Sequence, residues 1–302
     1  VFMFKKLFFL KLAFLSLFIF SSLSAIKFDQ FTILNQNSKY CSHMEDVFVY
    51  QQRDGISYFG VYDDHGGKDV ADYLTVHLHR NIFEKIKENT ISTGRLLPDR
   101  FPIRTAIYKD IREAFLKTDE DLRGMRFYGG ACAITALIKD SNLYVANLGD
   151  CRAVLCRKGE AVELSSDHTP GRPDEKARIE SLGKKVSKRQ PERPKSKYRI
   201  RGNWLNPSFS RAFGDFSLKS RGEIPIILSE PEIKQHTLSA DDEFLILASD
   251  GLWDRVSSED AVRMVKSCFG LGGNCKKAAE FLVRMGIRSR DNITVTVIRF
   301  IH

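Results

Sequence analysis

An apolar segment that runs directly into acids and glycines places the strongest constraint on how this chain folds. Residues 58–62 are aromatic, β-branched or glycine, which predicts a buried strand. Directly after this strand come Asp63, Asp64, His65, Gly66 and Gly67. Glycines end a strand in a turn where the backbone lies close to a ligand, and acids at a buried strand end are costly unless a cation meets them. The segment therefore predicts a divalent-cation site or, as the simpler alternative, a surface turn.

Apolar spacing along the rest of the chain predicts strands and helices in blocks and not in regular alternation. Strands are predicted at residues 46–50, 56–62, 131–139, 143–148, 152–157, 232–237, 243–248 and 293–301. Helices are predicted at residues 68–89, 104–122, 257–268 and 274–285, with a short one after Pro173. Such blocks are typical of antiparallel sheets covered by helices, so the predicted fold class is α+β in a single domain.

The chain carries a formal net charge of +9, and its most basic part is residues 183–201. Such an excess suits nucleic acid, an anionic membrane or phosphorylated partners. The prolines and missing periodicity of that part predict a loop, and it lacks the interleaved aromatic side chains that stack on bases. We therefore expect no nucleic-acid partner.

Residues 1–25 differ in character from the rest of the chain. Lys5 and Lys6 precede an apolar stretch that Lys11 interrupts, and small residues come after it. This order predicts a secretory signal peptide; the alternatives are an uncleaved membrane anchor and a misassigned start, since the chain begins with Val1. A genuine leader would place the protein in the secretory pathway or at a membrane, and otherwise we expect it in the cytoplasm.

The cysteines do not form a zinc motif. They stand at positions 41, 132, 151, 156, 268 and 275, without a pair separated by two residues. Cys151 and Cys156 are an odd number of residues apart on one predicted strand, so they should face opposite sides and not pair. Cys268 and Cys275 could form a disulfide in an oxidising compartment, but most of the six cysteines are expected as buried thiols.

Acids recur at the ends of several other predicted strands. Asp150 and Asp250 follow apolar runs, Asp291 precedes the last strand, and Glu45 and Asp46 open the first. Each could be an ordinary strand-end residue. If these ends meet at one edge, however, the acids would repel one another unless they hold cations, and oxygen ligands select Mg²⁺ or Mn²⁺ over zinc. Two such ions would generate hydroxide at neutral pH and stabilise phosphoryl oxygens.

Seven segments, in order along the chain, resemble the motifs of the metal-dependent serine/threonine protein phosphatases of type 2C. They are Met44-Glu45-Asp46; Val61-Tyr62-Asp63-Asp64-His65-Gly66-Gly67; Asn147-Leu148-Gly149-Asp150-Cys151-Arg152; Asp167-His168-Thr169-Pro170 with the helix after it; Ser210-Arg211-Ala212-Phe213-Gly214-Asp215; Ala248-Ser249-Asp250-Gly251-Leu252-Trp253-Asp254; and Asp291-Asn292-Ile293-Thr294. The resemblance implies a catalytic domain over residues 28–302 and a four-layer α-β-β-α sandwich of two antiparallel sheets flanked by helix pairs.

The resemblance also implies ligands for two metal ions, Mg²⁺ or Mn²⁺. The residues that match the ligands of one ion are Asp63, Asp250 and Asp291. Those that match the ligands of the second are Glu45, Asp63 and the backbone carbonyl of Asp64. The acids that match the surrounding metal-water network are Asp46, Asp150 and Asp254, of which the last two are candidates for a third, weaker ion.

The implied reaction is hydrolysis of phosphoserine and phosphothreonine in proteins by a metal-activated hydroxide. His65 matches the general acid that protonates the leaving hydroxyl, a role that suits a side chain able to carry a proton near neutrality. A histidine that only fills the turn is the alternative. We expect phosphoprotein substrates, a monomer, and membrane contact only through residues 1–25 if these are retained.

Three positions depart from the family pattern. Cys41 stands where the family has an arginine that grips the substrate phosphate, and a thiol cannot provide that charged donor; Lys39, His43 or a basic loop residue could replace it. Asp64 replaces a glycine, so its carboxylate could tighten a metal ion or trap it unproductively. Residues 130–133 lack the usual hydroxyl side chains, which we expect the fold to tolerate.

These departures leave two functional hypotheses. The first is an active phosphatase, in which a basic flap at about residues 183–209 helps to choose phosphoprotein substrates, unless that flap is only a solvated charge run. The second is a catalytically weak or inactive homologue that binds metal or phosphoproteins as a regulator. Cys41 favours the second, and the complete set of acids favours the first.

Overall fold

The computed structural model describes residues 26–92, 103–188, 197–201, 206–219 and 225–302. The predicted signal peptide or anchor at residues 1–25 lies outside these residues, as does the middle of the predicted basic flap. Within the part of the chain that is described, no helix has the length and apolar character that a membrane crossing requires.

The strands and helices follow the predicted order closely. The strands are β1 Lys27–Asn35, β2 Val47–Arg53, β3 Ile56–His65, β4 Gly130–Lys139, β5 Asn142–Leu148, β6 Arg152–Arg157, β7 Glu160–Glu163, β8 Lys185–Lys188, β9 Tyr198–Arg201, β10 Phe213–Gly214, β11 Glu232–Thr237, β12 Asp242–Ala248 and β13 Ile293–Ile301. The helices are α1 Asp69–Ser92, α2 Ile103–Arg123, α3 Pro173–Ser181, α4 Asp250–Trp253, α5 Ser258–Gly270 and α6 Cys275–Gly286. Ser257 and Asn274 cap α5 and α6, each accepting a backbone N–H bond of the first turn through its side chain.

Two antiparallel sheets form the centre of the molecule. A six-stranded sheet has the order β11-β5-β4-β3-β2, with β10 paired to β4, and a five-stranded sheet has the order β1-β13-β12-β6-β7. One apolar core lies between the sheets, a second packs the six-stranded sheet against α1 and α2, and a third packs the other sheet against α5 and α6. The α+β class and the α-β-β-α sandwich are thereby confirmed.

The strand β3 shows why residues 58–62 are apolar at every position. Tyr58 and Tyr62 belong to the core shared with α1 and α2, whereas Phe59 and Val61 belong to the core between the sheets. A strand covered on both faces cannot alternate with polar residues, so its sequence is continuously apolar. The same alternation separates Cys151 from Cys156, which lie in different cores as predicted.

Several features differ from the sequence predictions, and the short elements β7, β10 and α4 were not predicted. β1 was not predicted, although its residues pair with β13 over their full length. The segment at residues 183–201, predicted as a loop, contains a two-stranded sheet of β8 and β9. Its apolar pattern is weak because β8 buries only Val186 and β9 buries only Ile200. Cys268 and Cys275, the possible disulfide, are free thiols, and the Cys275 thiol donates to the Asp29 carbonyl at 3.5 Å.

Candidate active site

The register of the sheets brings the strand-end acids to one end of the sandwich. Val47 pairs with Tyr62, so Asp46 and Asp63 lie side by side where β2 begins and β3 approaches its end. In the other sheet, Ala248 at the end of β12 pairs with Val295 near the start of β13. Asp250 follows β12 and Asp291 precedes β13, so both lie at the same end of this strand pair. Acids that are far apart in the sequence are therefore neighbours in the fold.

Hydrogen bonds join the two sheets at this end. The Ser249 hydroxyl donates to Asp46 Oδ2 at 2.7 Å and accepts from the Thr294 N–H at 3.0 Å. The Asn292 side-chain oxygen accepts from the Glu45 N–H at 2.7 Å, and its amide nitrogen donates to the Gln36 carbonyl at 2.8 Å. The segment that carries Glu45 and Asp46 is thus fixed against the start of β13.

The acids are close enough to shift one another's protonation. Burial raises the pKa of Asp63 well above its usual range, and neighbouring negative charges raise it further. These charges, in decreasing order of effect, are Asp46, Asp250, Asp291 and Asp150. Burial likewise raises the pKa of Asp46 and of Asp150 to about 7, and desolvation followed by the charge of Asp250 raises that of Asp291 to about 6. Such a set is unfavourable unless cations balance it.

The donor chemistry of this cluster fits a hard divalent cation. Its ligands would be carboxylate oxygens, and Asp250 Oδ1 is buried without a hydrogen-bond partner. Among the described residues, no group of three or more acidic, histidine or cysteine side chains is placed so that it could hold a metal ion as it stands. The cluster therefore fits Mg²⁺ or Mn²⁺ in the type and charge of its donor atoms.

The side chain of Asp64 caps a helix. Asp64 Oδ2 accepts from the Ala71 N–H at 2.6 Å, in the first turn of α1, and Oδ1 accepts from the His65 N–H at 2.8 Å. Carboxylates are favoured at helix N-termini, where the N–H groups have no partner in the helix. The departure from glycine therefore adds a cap for α1, and Gly66 and Gly67, with φ of 87° and 143°, supply the left-handed backbone between the strand and the helix.

His65 is held by an acid that the sequence motifs contain but do not single out. Its Nε2 lies 2.8 Å from Oδ2 of Asp215, whose side chain is fully buried, and its ring packs against Phe209 with the centroids 4.4 Å apart. Burial lowers the pKa of His65, but the hydrogen bond and charge of Asp215 outweigh this, so the pKa is raised above its ordinary value. Asp215 ends the Ser-Arg-Ala-Phe-Gly-Asp segment, and pairing of β10 with β4 brings it beside His65.

The segment at residues 130–133 is a buried part of β4. A Cβ atom on Gly130 would lie 2.2 Å from the Phe213 carbonyl and 2.6 Å from Asp215 Oδ2, so this position needs glycine. Cys132 is likewise buried, against Gly149. The small side chains of this segment leave room for the acid that holds His65.

Cys41 lies beside the acids and carries no positive charge. Its thiol donates to the Arg290 carbonyl at 3.7 Å, and burial, followed by the charges of Asp291, Asp46 and Glu45, raises its pKa. The thiol therefore remains neutral at physiological pH. Of the suggested replacements nearby, Lys39 places its ammonium over the Tyr40 ring, 5.2 Å from the centroid.

One lysine of the predicted basic flap reaches the acids. Lys197 immediately precedes β9, and its ammonium donates to Asp250 Oδ2 and lies 3.2 Å from Asp254 Oδ2. Burial lowers the pKa of Lys197, but the charges of Asp250, Asp150 and Asp254 raise it well above its usual range. These groups line a cleft of about 280 Å³. Nothing in the sequence distinguishes Lys197 from the other basic residues around it.

Solved structures with the same arrangement of sheets and helices define the class of fold. A serine-threonine phosphatase 2C from Toxoplasma gondii superposes with a TM-score of 0.76 at 23% identity, covering 91% of this chain and 95% of that one. A Caenorhabditis elegans sex determining protein superposes with a TM-score of 0.69 at 22% identity, covering 92% of this chain and 65% of that one. At these identities the likeness establishes the fold.

The family follows from sequence comparison. The family Protein phosphatase 2C matches residues 26–293. Probable protein phosphatase 2C 74 of Oryza sativa subsp. japonica is 38% identical over 247 residues, which are 80% of this chain and 57% of that protein. Probable protein phosphatase 2C 30 of Arabidopsis thaliana is 39% identical over 249 residues, or 80% of this chain and 58% of that protein.

The chain belongs to the protein phosphatase 2C family. The membership predicted from the seven segments is confirmed. The chain spans a little over half the length of these curated relatives, 57% of one and 58% of the other.

Proposed function

We propose that this protein hydrolyses phosphoserine and phosphothreonine in phosphoproteins with the help of Mg²⁺ or Mn²⁺. The observation that carries the proposal is the cluster of buried, mutually repelling acids beside a histidine that a buried carboxylate holds in place. Structural ion pairs balance their charges within the protein, whereas this cluster has far more negative charge than its neighbours neutralise. Membership of the family supports the same reaction.

The residues divide into ligands for two ions and a surrounding network. Asp63, Asp250 and Asp291 would hold one ion, and Glu45 with Asp63 and the backbone carbonyl of Asp64 would hold the second. Asp46, Asp150 and Asp254 would complete the network around them. When bound, the ions activate a water molecule for attack on phosphorus and neutralise the phosphoryl oxygens.

His65 supplies the proton that the leaving serine or threonine oxygen needs. The Asp215 carboxylate accepts from the N–H at Nε2, so the proton to be transferred lies on Nδ1 of the imidazolium. After the transfer His65 is neutral and keeps its hydrogen bond to Asp215. Asp215 acts as a positioning residue, since it orients the ring and favours its protonated form.

A second candidate function is that of a weak or inactive homologue that binds metal or phosphoproteins. The neutral thiol of Cys41 favours it, because the phosphate would lose a charged hydrogen-bond donor at that position. The same acids that support catalysis would support metal binding in such a regulator.

Phosphate release from a phosphothreonine peptide in the presence of Mn²⁺ separates the two. We expect turnover that chelator abolishes and that Asp250→Ala reduces by at least about a hundredfold, with Glu259→Ala, an exposed acid of α5, as the matched control. Turnover that ignores both chelator and Asp250→Ala would contradict the proposal. A folded protein that binds Mn²⁺ but releases no phosphate would favour the regulator.

A further inference from the structure

Lys197 lies beside Asp150 and Asp254, the two acids that the family resemblance makes candidates for binding a third metal ion. Its ammonium donates to Asp250 Oδ2, forms an ion pair with Asp254 and feels the charge of Asp150. The resemblance to the family made Asp150 and Asp254 candidates for a weaker third ion. One protein cation thus stands among the groups that a third divalent ion would use.

Two side chains of β9 hold the backbone that directly follows Lys197 in place. Tyr198 pairs with Lys188 and packs against Gly171 so closely that a Cβ atom there would lie 2.3 Å from its ring. Ile200 is fully buried in a small core with Ile179 of α3. Packing therefore fixes the backbone next to Lys197, and Asp250 and Asp254 hold its ammonium.

The electrostatic balance favours the ammonium over an additional divalent ion at this position. Asp250 Oδ2 accepts from Lys197, while its other oxygen, Oδ1, is buried and has no partner. A further divalent ion held by Asp150 and Asp254 would share one cleft with this ammonium, which already pairs with Asp250 and Asp254. Like charges at such separations in a partly desolvated cleft repel strongly.

We propose that the ammonium of Lys197 takes the place of a third divalent ion at this site. The unaltered protein would then bind two divalent ions, and a variant without Lys197 would bind three. The proposal rests on the proposed metal-dependent function and identifies a role for one residue of the basic flap within it. Lys197 neutralises Asp254 and part of Asp250 and ties β9 to the end of the sandwich that holds the acids.

Equilibrium dialysis against millimolar MnCl₂, with metal analysis of the protein, tests this directly. We expect two Mn²⁺ per chain for the unaltered protein and three for Lys197→Met. Lys185→Met, which removes an exposed lysine from the same two-stranded sheet, serves as the matched control and should bind two. Lys197→Gln provides a second, polar variant, and circular dichroism compares the folding of all four proteins.

The location of the additional ion is tested by the double variant Lys197→Met, Asp254→Asn, which should return to two Mn²⁺ per chain. Three ions on the unaltered protein, or equal numbers on it and on both folded Lys197 variants, would overturn the proposal while leaving the metal dependence intact. Binding of no Mn²⁺ to the unaltered protein would instead refute the metal-dependent function, and this inference with it.

Discussion

Replacement of Asp215 by asparagine tests how much of the reaction depends on the positioning of His65. Asp215 Oδ2 lies 2.8 Å from His65 Nε2, and the Asp215 side chain is fully buried, so the bond is protected from solvent. A hydrogen bond to a charged group contributes about 1.5 to 3 kcal/mol. Asparagine keeps an acceptor but loses the charge, so we expect kcat to fall roughly 10- to 150-fold.

The assay compares two substrates that differ in their leaving group. A phosphothreonine peptide releases an alkoxide that needs a proton, whereas a small aryl phosphate releases a stable phenolate and needs little help from a general acid. Asp215→Asn and His65→Ala should therefore lower turnover of the peptide much more than turnover of the aryl phosphate. Asp174→Asn, a surface acid of α3, is the control and should change neither.

Equal losses on both substrates would refute this reasoning, because they would indicate a general disturbance of the site. A loss of Mn²⁺ binding in Asp215→Asn would do the same. If His65→Ala retains full turnover of the peptide, the histidine only fills the turn, and the proton comes from elsewhere.

Three further outcomes are expected. Asp64→Ala should lower the free energy of unfolding by about 1 to 2 kcal/mol in urea, because the α1 cap at Ala71 is lost, without reducing the number of bound Mn²⁺ ions; unchanged stability would contradict the capping role. Cys41→Arg should raise kcat/KM for the phosphopeptide at least about tenfold, since it restores a charged donor for phosphate, and a decrease would show that another group already fills this role. Asp119→Asn should destabilise the fold by about 3 to 5 kcal/mol, measured by thermal and urea unfolding, because it leaves the buried ammonium of Lys219 with the Ala212 carbonyl but without its carboxylate partner; a change of less than about 1 kcal/mol would mean that the carbonyl alone suffices.

The acids proposed as metal ligands were predictable as a group because they combine two local signals. A continuously apolar strand such as β3 has to be covered on both faces, and an acid at its end is conspicuous whatever the fold. In the structure, Asp250, Asp291 and Asp150 lie close enough to Asp63 to raise its pKa, while their role as metal ligands stays a prediction. Helices α5 and α6 could likewise be predicted, because a capping residue and apolar spacing are both visible within a short stretch of sequence.

Other parts of the site depend on contacts that no local pattern encodes. Asp64 looked like a member of an acidic pair, but its direction is set by the position of α1, which the fold determines. Asp215 reaches His65 only because β10 pairs with β4. Lys197 is one basic residue among many, and its partners are fifty or more residues away.

The short strands β8 and β9 were missed for a related reason. Each has four residues and buries only one of them, so polar and basic side chains dominate the pattern. β1 has apolar side chains on a half-exposed strand, and its place in the sheet depends on β13 at the opposite end of the chain. Such pairings become apparent only when both partners are in place.

The proposed reaction requires that the acids at this end of the sandwich bind divalent ions. The most direct measurement is phosphate release from a phosphothreonine peptide after removal of metal with chelator, followed by titration with Mn²⁺. We expect no release before the titration and a rise that parallels the binding of two Mn²⁺ per chain. Release that persists without divalent ions, or Mn²⁺ binding that brings no activity, would contradict the proposed reaction.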